Sequence, residues 1–439
     1  MLMKKKYTYL TLLILFALLG NSLSANTTYT KIKEINLLID EDSYIDFIRT
    51  SIFDQPEFKY AVSLSAEQGF NLKYAKRGRF PSITGNIVND ESIERDITDN
   101  QSVRKRRDDS FDATVEIRQP LYTGGQINAA IRGANSKAKN SATQKQNTLS
   151  KLILDANQIY LSSVNGSFLF NYASNLLDIL RPFKQKVKDR VDAGVMDPVE
   201  FALFSVRYNR IETLVFQLKS SSEKYNNEFS FFYKKDFKNL AFPSFSINEE
   251  LIKKGKKSYD VDSAQFTYSE KLENITSVKS EFRPQMGIRA QYTKYDIDDD
   301  SNEDDIRGGL YLSVPIFNFG RGVAKINSAK AAAEGSRNAV NIAEKEDNIK
   351  ESSLFSEFTN SINNKPIFLN GFNTTLNQRK TIQDRLELSG FAVNALAEVM
   401  INEISQLQTL LSNEALILEL YLSLLHQNQQ LNNNFRINY

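Results

Sequence analysis

Two stretches of the chain decide the fold: QPLYTGGQINAAIRGANSKA at 119–138 and VPIFNFGRGVAKINSAKAAA at 314–333. Each has a proline in its second position and a glycine in its seventh, followed by a run rich in alanine and other small residues. Pro315 lies 195 residues after Pro120, and the two stretches align without a gap. The recurrence of one pattern at a fixed offset indicates an internal duplication.

A second pair of segments extends the duplication. RVDAGVMDPVEF at 190–201 resembles RLELSGFAVNALAEV at 385–399, and their glycines, Gly194 and Gly390, lie 196 residues apart. The interval between the first glycine landmark and the second is 69 residues in one copy and 70 in the other. Loops in two copies of a repeat commonly differ in length, whereas these intervals differ by one residue. We therefore interpret each interval as an element of fixed physical length.

Both intervals are predicted to be helical. Apolar or small residues recur at spacings of three and four, and only Pro182 and Pro366 interrupt the two runs. Each long helix would extend about 100 Å, which is too long for a globular core. The last helix has a seam of coiled-coil type from Met400 to Leu425. The predicted long helices and their return helices are 125–193, 198–235, 321–389 and 395–427.

The segments before the two landmarks have a different period. Residues 111–121 and 306–316 alternate between apolar and polar side chains, and a weaker alternating run precedes each. The sequence predicts two β-hairpins: 80–121 with an external loop at 89–109, and 283–316 with an external loop at 296–305. Strands of about ten residues suit a soluble sandwich or a tilted crossing of a bilayer. Because four strands cannot close a barrel alone, a membrane-spanning sheet would need several chains. Three copies would supply twelve strands.

Composition excludes several classes of chemistry. The 439 residues contain no cysteine and one histidine, so thiolate metal sites, cysteine nucleophiles, disulfides and clusters of histidine ligands are excluded. His426 lies in a stretch that we interpret as a polar tail, which disfavours a Ser-His-Asp triad. GKKS at 255–258 and GRG at 320–322 lack glycines that nucleotide-binding loops require. We therefore expect no cofactor, no metal and no enzymatic activity.

Charge and the N-terminus indicate an exported protein without affinity for nucleic acid. Residues 1–25 combine a basic start, an apolar run of about ten residues and a small-residue cleavage site, which predicts a signal peptide. The 55 Lys and Arg nearly balance the 53 Asp and Glu, and RKRR at 104–107 is flanked by acidic residues. The acidic stretch DIDDDSNEDD at 296–305 lacks the glycine and glutamate of an EF-hand, which leaves only weak cation binding open.

The twin landmarks QPLYTGGQINAAI and VPIFNFGRGVAKI, each closing a two-faced strand and opening a long helix, resemble the signatures of TolC-type outer membrane efflux proteins. The resemblance covers nearly the whole mature chain. It implies an α+β membrane protein whose very long antiparallel helices form a periplasmic tunnel. Its four strands per chain would contribute to a shared twelve-stranded β-barrel of a homotrimer.

The resemblance also implies location, activity and partners. Such a protein lies in the outer membrane of a Gram-negative bacterium, in contact with lipid, and extends into the periplasm. It acts as the passive exit duct of a tripartite efflux pump or a type I secretion system. Its partners would be a periplasmic adaptor and, through the adaptor, an inner-membrane transporter. An exported, soluble coiled-coil scaffold or surface protein without channel activity remains the alternative.

The predicted organisation has three parts: the signal peptide, a first repeat at 26–245 and a second repeat at 246–439. The first repeat contains an equatorial helix, the first hairpin and the helices 125–193 and 198–235. The second repeat contains the second hairpin, the helices 321–389 and 395–427, and a polar C-terminal tail. Residue types at the strand-to-helix junctions fit their place, because proline ends a ladder, aromatic rings suit a membrane interface and glycine permits a sharp turn. These junction candidates are Pro120, Tyr122, Gly124, Gly125, Pro315, Phe317 and Gly320.

The family's helix-turn-helix pattern, carried over residue by residue, marks candidates for the periplasmic tip. In the family this tip closes the tunnel and meets the adaptor. One or two extra residues precede the acidic position of the second turn, which departs from the pattern. Asp197 before Pro198 also suits a helix N-cap, and Asp384 and Glu387 also suit a solvated helix face. The tip candidates are Gly194, Asp197, Glu200, Asp384, Glu387, Gly390 and Glu398.

Overall fold

The computed structural model describes residues 38–91, 109–237, 241–252, 257–298, 303–386 and 393–437. They form two compact units that interleave along the sequence. We call Tyr60–Lys145 with Tyr259–Glu346 the sheet unit, and the remainder the helical unit. Each unit contains segments of both predicted repeats. The boundary between the repeats at residue 245 therefore does not separate the two units and stays a prediction about the sequence duplication. The predicted signal peptide and the central parts of both external loops lie outside the described residues.

Helices account for most of the described chain, and the observed fold class is the predicted α+β class. The helices are α1 (Glu41–Ile52), α2 (Pro56–Arg77), α3 (Gln126–Asp192), α4 (Pro198–Tyr233), α5 (Glu249–Ile252), α6 (Tyr259–Ser280), α7 (Arg321–Leu386), α8 (Val393–Gln427) and α9 (Leu431–Asn434). The strands are β1 (Leu38–Ile39), β2 (Ser82–Glu91), β3 (Asp109–Tyr122), β4 (Phe242–Pro243), β5 (Gln285–Lys294) and β6 (Asp304–Ser313). Among the described helices, none combines the length and apolarity needed to cross a bilayer.

The core of the helical unit follows the apolar seam of α8. Met400, Ile404, Leu407 and Leu411 are buried at spacings of three and four, and the seam continues to Leu425. Full burial of one such side chain contributes about 1.5–3 kcal/mol, so this helix anchors the unit. The three-four periodicity that predicts a coiled-coil seam thus places α8 in the core.

An aromatic cluster holds the N-terminal segment of the helical unit. β1 pairs with β4 in parallel, which joins the segment before α1 to the segment after α4. The Tyr44 ring on α1 meets the Tyr160 ring edge-on at 5.0 Å, and the Phe229 and Tyr233 rings stack at 4.4 Å. The hydroxyl groups of Tyr160 and Tyr233 donate to the carbonyl oxygens of Ala241 and Ala156, each at 2.7 Å. Burial raises the pKa of Tyr233 well above its ordinary value.

The C-terminal segment is packed, whereas its polar composition predicts a tail. Leu431, Phe435 and Ile437 are buried, and α9 occupies part of the segment. His426, assigned to the tail, is also buried and bonds through Nδ1 to the Ser150 hydroxyl at 2.7 Å. The prediction of a tail fails because the few apolar residues fall on one side of a short helix and turn, where they contribute to the core.

The sheet unit contains a four-stranded antiparallel sheet in the order β2-β3-β5-β6. β3 and β5 come from different predicted repeats, and nine residue pairs in their register join the two hairpins into one sheet. Among the described residues, no strand pairs with the outer side of β2 or of β6. Such unpaired edges expose backbone donors and acceptors that another chain can satisfy.

The register sorts the side chains of this sheet into two faces. Ile83, Ile117, Ala290 and Gly308 are cross-strand partners on one face, which we call the apolar face. Its larger side chains are exposed: Ile83, Ile87, Val115, Ile117, Met286, Ile288, Tyr292, Ile306, Leu310 and Leu312. The opposite face, the polar face, carries the alternating residues, among them Thr114 and Thr293, whose hydroxyl groups bond at 3.2 Å.

Candidate functional site

The first candidate region is the corner where β3 turns into α3. Gly124 and Gly125 have φ values of +63° and +98°, which disfavour a side chain. A Cβ atom on Gly124 would lie 2.7 Å from the Cβ of Arg283, and the Arg283 guanidinium donates to the Gly124 carbonyl oxygen at 3.0 Å. The amide of Ile127 donates to the Thr123 hydroxyl at 3.4 Å and so satisfies one amide of the first turn of α3. Two backbone constraints and one arginine therefore fix this corner.

The second corner, where the chain passes from β6 to α7, repeats this geometry with different residues. Phe319 corresponds to Gly124 at the offset of 195 and has a φ of +49°, while Gly320 has a φ of +81°. The Asn318 side chain accepts from the amide of Gly322 at 3.3 Å, as Thr123 accepts at the first corner. Phenylalanine thus occupies a left-handed position, which costs about 1–2 kcal/mol.

The two prolines occupy different places from those predicted. Pro120 lies inside β3 and pairs with Gly287, and the register shifts between Pro120 and Tyr122. The prediction that Pro120 ends the ladder is therefore wrong: a bulge accommodates the missing amide, and the strand continues to Tyr122. In the other hairpin the ladder ends at Ser313, two residues before Pro315 and short of the predicted end at 316.

The aromatic candidates at both corners are exposed. Tyr122, Phe317 and Phe319 have half or more of their surfaces accessible, up to 91% for Phe319. The Phe317 and Phe319 rings pack edge-on at 4.6 Å. The predicted role of these rings at a membrane interface requires such exposure and stays a prediction.

The second candidate region is the turn between α3 and α4. Gly194 has a φ of +72°, and the amides that follow it return to the end of α3, with Val195 donating to the Arg190 carbonyl at 2.9 Å. Asp197 is the N-cap of α4, because its carboxylate accepts from the amide of Val199 at 2.8 Å and Pro198 is the first helical residue. The cap explains the residue chemistry of this turn without requiring a gate.

Replacing Asp197 by alanine is expected to lower stability by about 1 kcal/mol, because the first turn of α4 loses its acceptor. Asp197→Asn keeps an acceptor oxygen and should retain most of the stability. Asp192→Ala removes the same charge at the end of α3 and serves as the charge control. Thermal unfolding followed by circular dichroism compares the three variants. A loss in Asp192→Ala equal to that in Asp197→Ala would contradict the capping role.

Two of the other acidic candidates are connected by hydrogen bonds, and a third is exposed. Asn394 on α8 donates to the Glu200 carboxylate at 2.6 Å, and Arg207 on α4 donates to Asn394 and to the Glu398 carboxylate, each at 3.1 Å. Asp384 is exposed near the end of α7. Glu387 and Gly390 lie outside the described residues. Glu200 and Glu398 are thus brought together through Arg207 and Asn394, which sequence reasoning missed.

Comparisons with known proteins identify the fold. No protein-family model and no curated protein sequence matches the chain. Among solved structures, the Campylobacter jejuni CmeC outer membrane channel is 12% identical with a TM-score of 0.73, covering 87% of this chain and 85% of that one. The open-state Neisseria gonorrhoeae MtrE outer membrane channel is 14% identical with a TM-score of 0.64, covering 88% and 89%. A membrane protein from Pseudomonas aeruginosa is 12% identical with a TM-score of 0.74, covering 90% and 91%.

The chain has the TolC-type fold. At these identities the likeness concerns the arrangement of helices and strands, and the residue-level candidates stay predictions. Within the described part of the chain, no group of three His, Asp or Glu side chains is placed to hold a metal ion.

A buried ionic cluster is the second feature that sequence reasoning missed. Glu403 on α8 is completely buried and accepts from Arg379 Nε on α7 at 2.8 Å and from the Tyr172 hydroxyl on α3. Burial and the neighbouring carboxylate raise the pKa of Tyr172, so its hydroxyl remains a donor at physiological pH. The available signal was a charged residue three positions after Met400, which helical spacing places beside the apolar seam.

Proposed function

We propose that the chain is an outer-membrane exit duct of an efflux system. The observation that carries the proposal is the exposed apolar face of the four-stranded sheet, which continues into long helices through two fixed corners. On a soluble monomer, an apolar face of this extent would favour aggregation, whereas lipid would cover it at no such cost. The outer membrane channels among the structural relatives support the assignment by fold.

The proposal includes a homotrimer with a closed twelve-stranded barrel in the outer membrane of a Gram-negative bacterium. The strands of one sheet alternate in direction, so β6 of one copy and β2 of the next meet antiparallel, and the same contact recurs around a ring. Closure satisfies both edges, which an open sheet in lipid would leave unpaired. The apolar face then contacts lipid, and the polar face lines the exit.

The duct conducts passively from a periplasmic adaptor, which links it to an inner-membrane transporter. The turn at Gly194 and Asp197, with the connected residues Glu200 and Glu398, is the proposed contact or gate region. Asp384 precedes Glu398 in sequence and is a further candidate for this region. A tripartite efflux pump and type I secretion are both consistent with this role. The exported coiled-coil scaffold is the competing function, and it predicts a soluble protein without trimeric strand contacts.

Cysteine cross-linking between copies tests the proposal directly, because the chain has no native cysteine. Thr84→Cys on β2 is combined, one at a time, with Asp305→Cys, Arg307→Cys or Gly309→Cys on the polar face of β6. Cysteines pair when their Cα atoms lie about 4.4–6.8 Å apart, so one register should give covalent dimers and trimers in isolated outer membranes.

The matched control uses Thr114→Cys in place of Thr84→Cys. Because β3 lies between β2 and β5, Thr114→Cys should give no cross-link between copies with any of the three β6 cysteines. The light-scattering mass of the detergent-extracted protein should be about three times the 50.0 kDa of the chain, less the signal peptide. A soluble monomer or dimer without cross-links in any register would overturn the exit-duct proposal.

A further inference from the structure

Three arginines cluster on the polar face near the corners of the sheet. Arg118 on β3 and Arg289 on β5 are direct cross-strand partners. Arg307 on β6 lies in the adjacent row, opposite Gln291. Like charges directly opposite one another destabilise a strand pair. The backbone hydrogen bonds between β3 and β5 do not require arginine at either position, so the pair lowers the stability of the sheet without a structural need.

The carboxylates on this face do not balance the cluster. Glu116 forms an ion pair with Arg118 at 2.7 Å, and Asp305 pairs with Arg307. Among the described residues, Arg289 has no carboxylate partner and its side chain is exposed. Asp112 and Asp305 lie farther along the strands, toward the external loops. The rows nearest the corners therefore hold an excess positive charge in each chain.

The neighbouring residues support Arg118 from one side. The Arg118 guanidinium lies over the Tyr311 ring at 5.9 Å from its centroid. The Tyr311 ring in turn covers Gly287, where a Cβ atom would lie 2.5 Å from the Tyr311 hydroxyl. A residue larger than glycine at 287 would displace the Tyr311 ring. Glycine at this position therefore lets the ring lie where it contacts the Arg118 guanidinium.

We propose that Arg118 and Arg289 form an anion-binding position that attracts solutes bearing sulfonate, phosphate or carboxylate groups. Guanidinium groups bind such oxygens through paired hydrogen bonds, and a bridging anion offsets the repulsion between the two arginines. This inference rests on the proposed function, since threefold repetition of the pair around the exit would form a basic ring. It assigns anionic solutes to the duct as a substrate class.

The test is the binding of the trisulfonate dye pyranine to the full chain in a neutral detergent, measured by fluorescence anisotropy at low salt. The Arg118→Gln/Arg289→Gln variant is expected to bind roughly tenfold more weakly than the unaltered protein. Lys294→Gln removes a positive charge from the apolar face of the same sheet and should change the affinity less than about twofold. Binding should weaken steeply as salt is added.

The outcomes separate the inference from the proposed function. A trimer in the outer membrane that does not bind pyranine, or equal losses in both variants, overturns the anion-binding position and leaves the exit duct standing. A soluble monomer that loses pyranine binding only in the arginine variant supports the position and overturns the duct. Circular dichroism spectra that match the unaltered protein show that the arginine variant is folded.

Discussion

Replacing Arg379 by methionine is expected to destabilise the helical unit by about 3–5 kcal/mol. The substitution leaves the Glu403 carboxylate buried at 0% exposure, with the Tyr172 hydroxyl as its remaining partner. An unpaired charge in this environment costs far more than the ion pair itself contributes, because water cannot replace the lost guanidinium. Chemical denaturation followed by circular dichroism measures the loss as a lower transition midpoint.

Two further variants distinguish the buried charge from lost packing. Arg379→Met/Glu403→Leu removes both charges and should recover most of the stability, since apolar side chains of similar volume replace a buried pair at little cost. Arg181→Met removes an exposed arginine whose partner, Asp178, is also exposed, and should change the midpoint only slightly. If Arg379→Met behaved like Arg181→Met, Glu403 would have to be accessible to water.

The fold could be predicted from the sequence because it shows two local patterns, the alternation of the strands and the three-four spacing of the helices. Neither pattern depends on residues that are distant in the chain. Alternation before Pro120 predicted the two faces that the register of β3 confirms, and the three-four spacing of α8 predicted its buried seam. Helix limits followed from glycine and proline, whose effects are local: α3 runs from Gln126 to Asp192, between the predicted 125 and 193. The predicted TolC-type fold is confirmed on this basis.

Side-chain pairing across helices was not accessible in the same way. Arg207 and Glu398 are 191 residues apart, and their contact depends on the rotation and axial offset of α4 and α8. No local pattern specifies those quantities. The sequence marked Glu398 through its place after a glycine turn, whereas Arg207 lay within an ordinary polar helix face. The packed C-terminus was missed for a related reason, since Phe435 and Ile437 are isolated apolar residues in a polar stretch.

Replacing Gly124 by alanine is expected to have the other large effect, because two costs add at one position. The left-handed φ costs about 1–2 kcal/mol with a side chain. In addition, the new Cβ atom would lie 2.7 Å from the Arg283 Cβ and 3.0 Å from the Ser280 carbonyl oxygen, so the backbone between the end of α6 and the start of β5 must shift. We expect a lower thermal midpoint, measured by circular dichroism. Under the proposed function, membrane fractionation should also show less assembled protein in the outer membrane.

The second corner shows which of the two costs dominates. Phe319 occupies the equivalent left-handed position, so the conformation alone is tolerated in this fold. A Cβ atom on Gly320 would have no neighbour within 4 Å, so Gly320→Ala tests the cost of the positive φ by itself. Gly335 lies in the interior of α7 with open space around it, and Gly335→Ala should stabilise the helix by up to about 1 kcal/mol. Gly124→Ala should lose more stability than Gly320→Ala. Equal losses would mean that Arg283 yields to the new methyl group, and that the arginine contact does not fix the first corner.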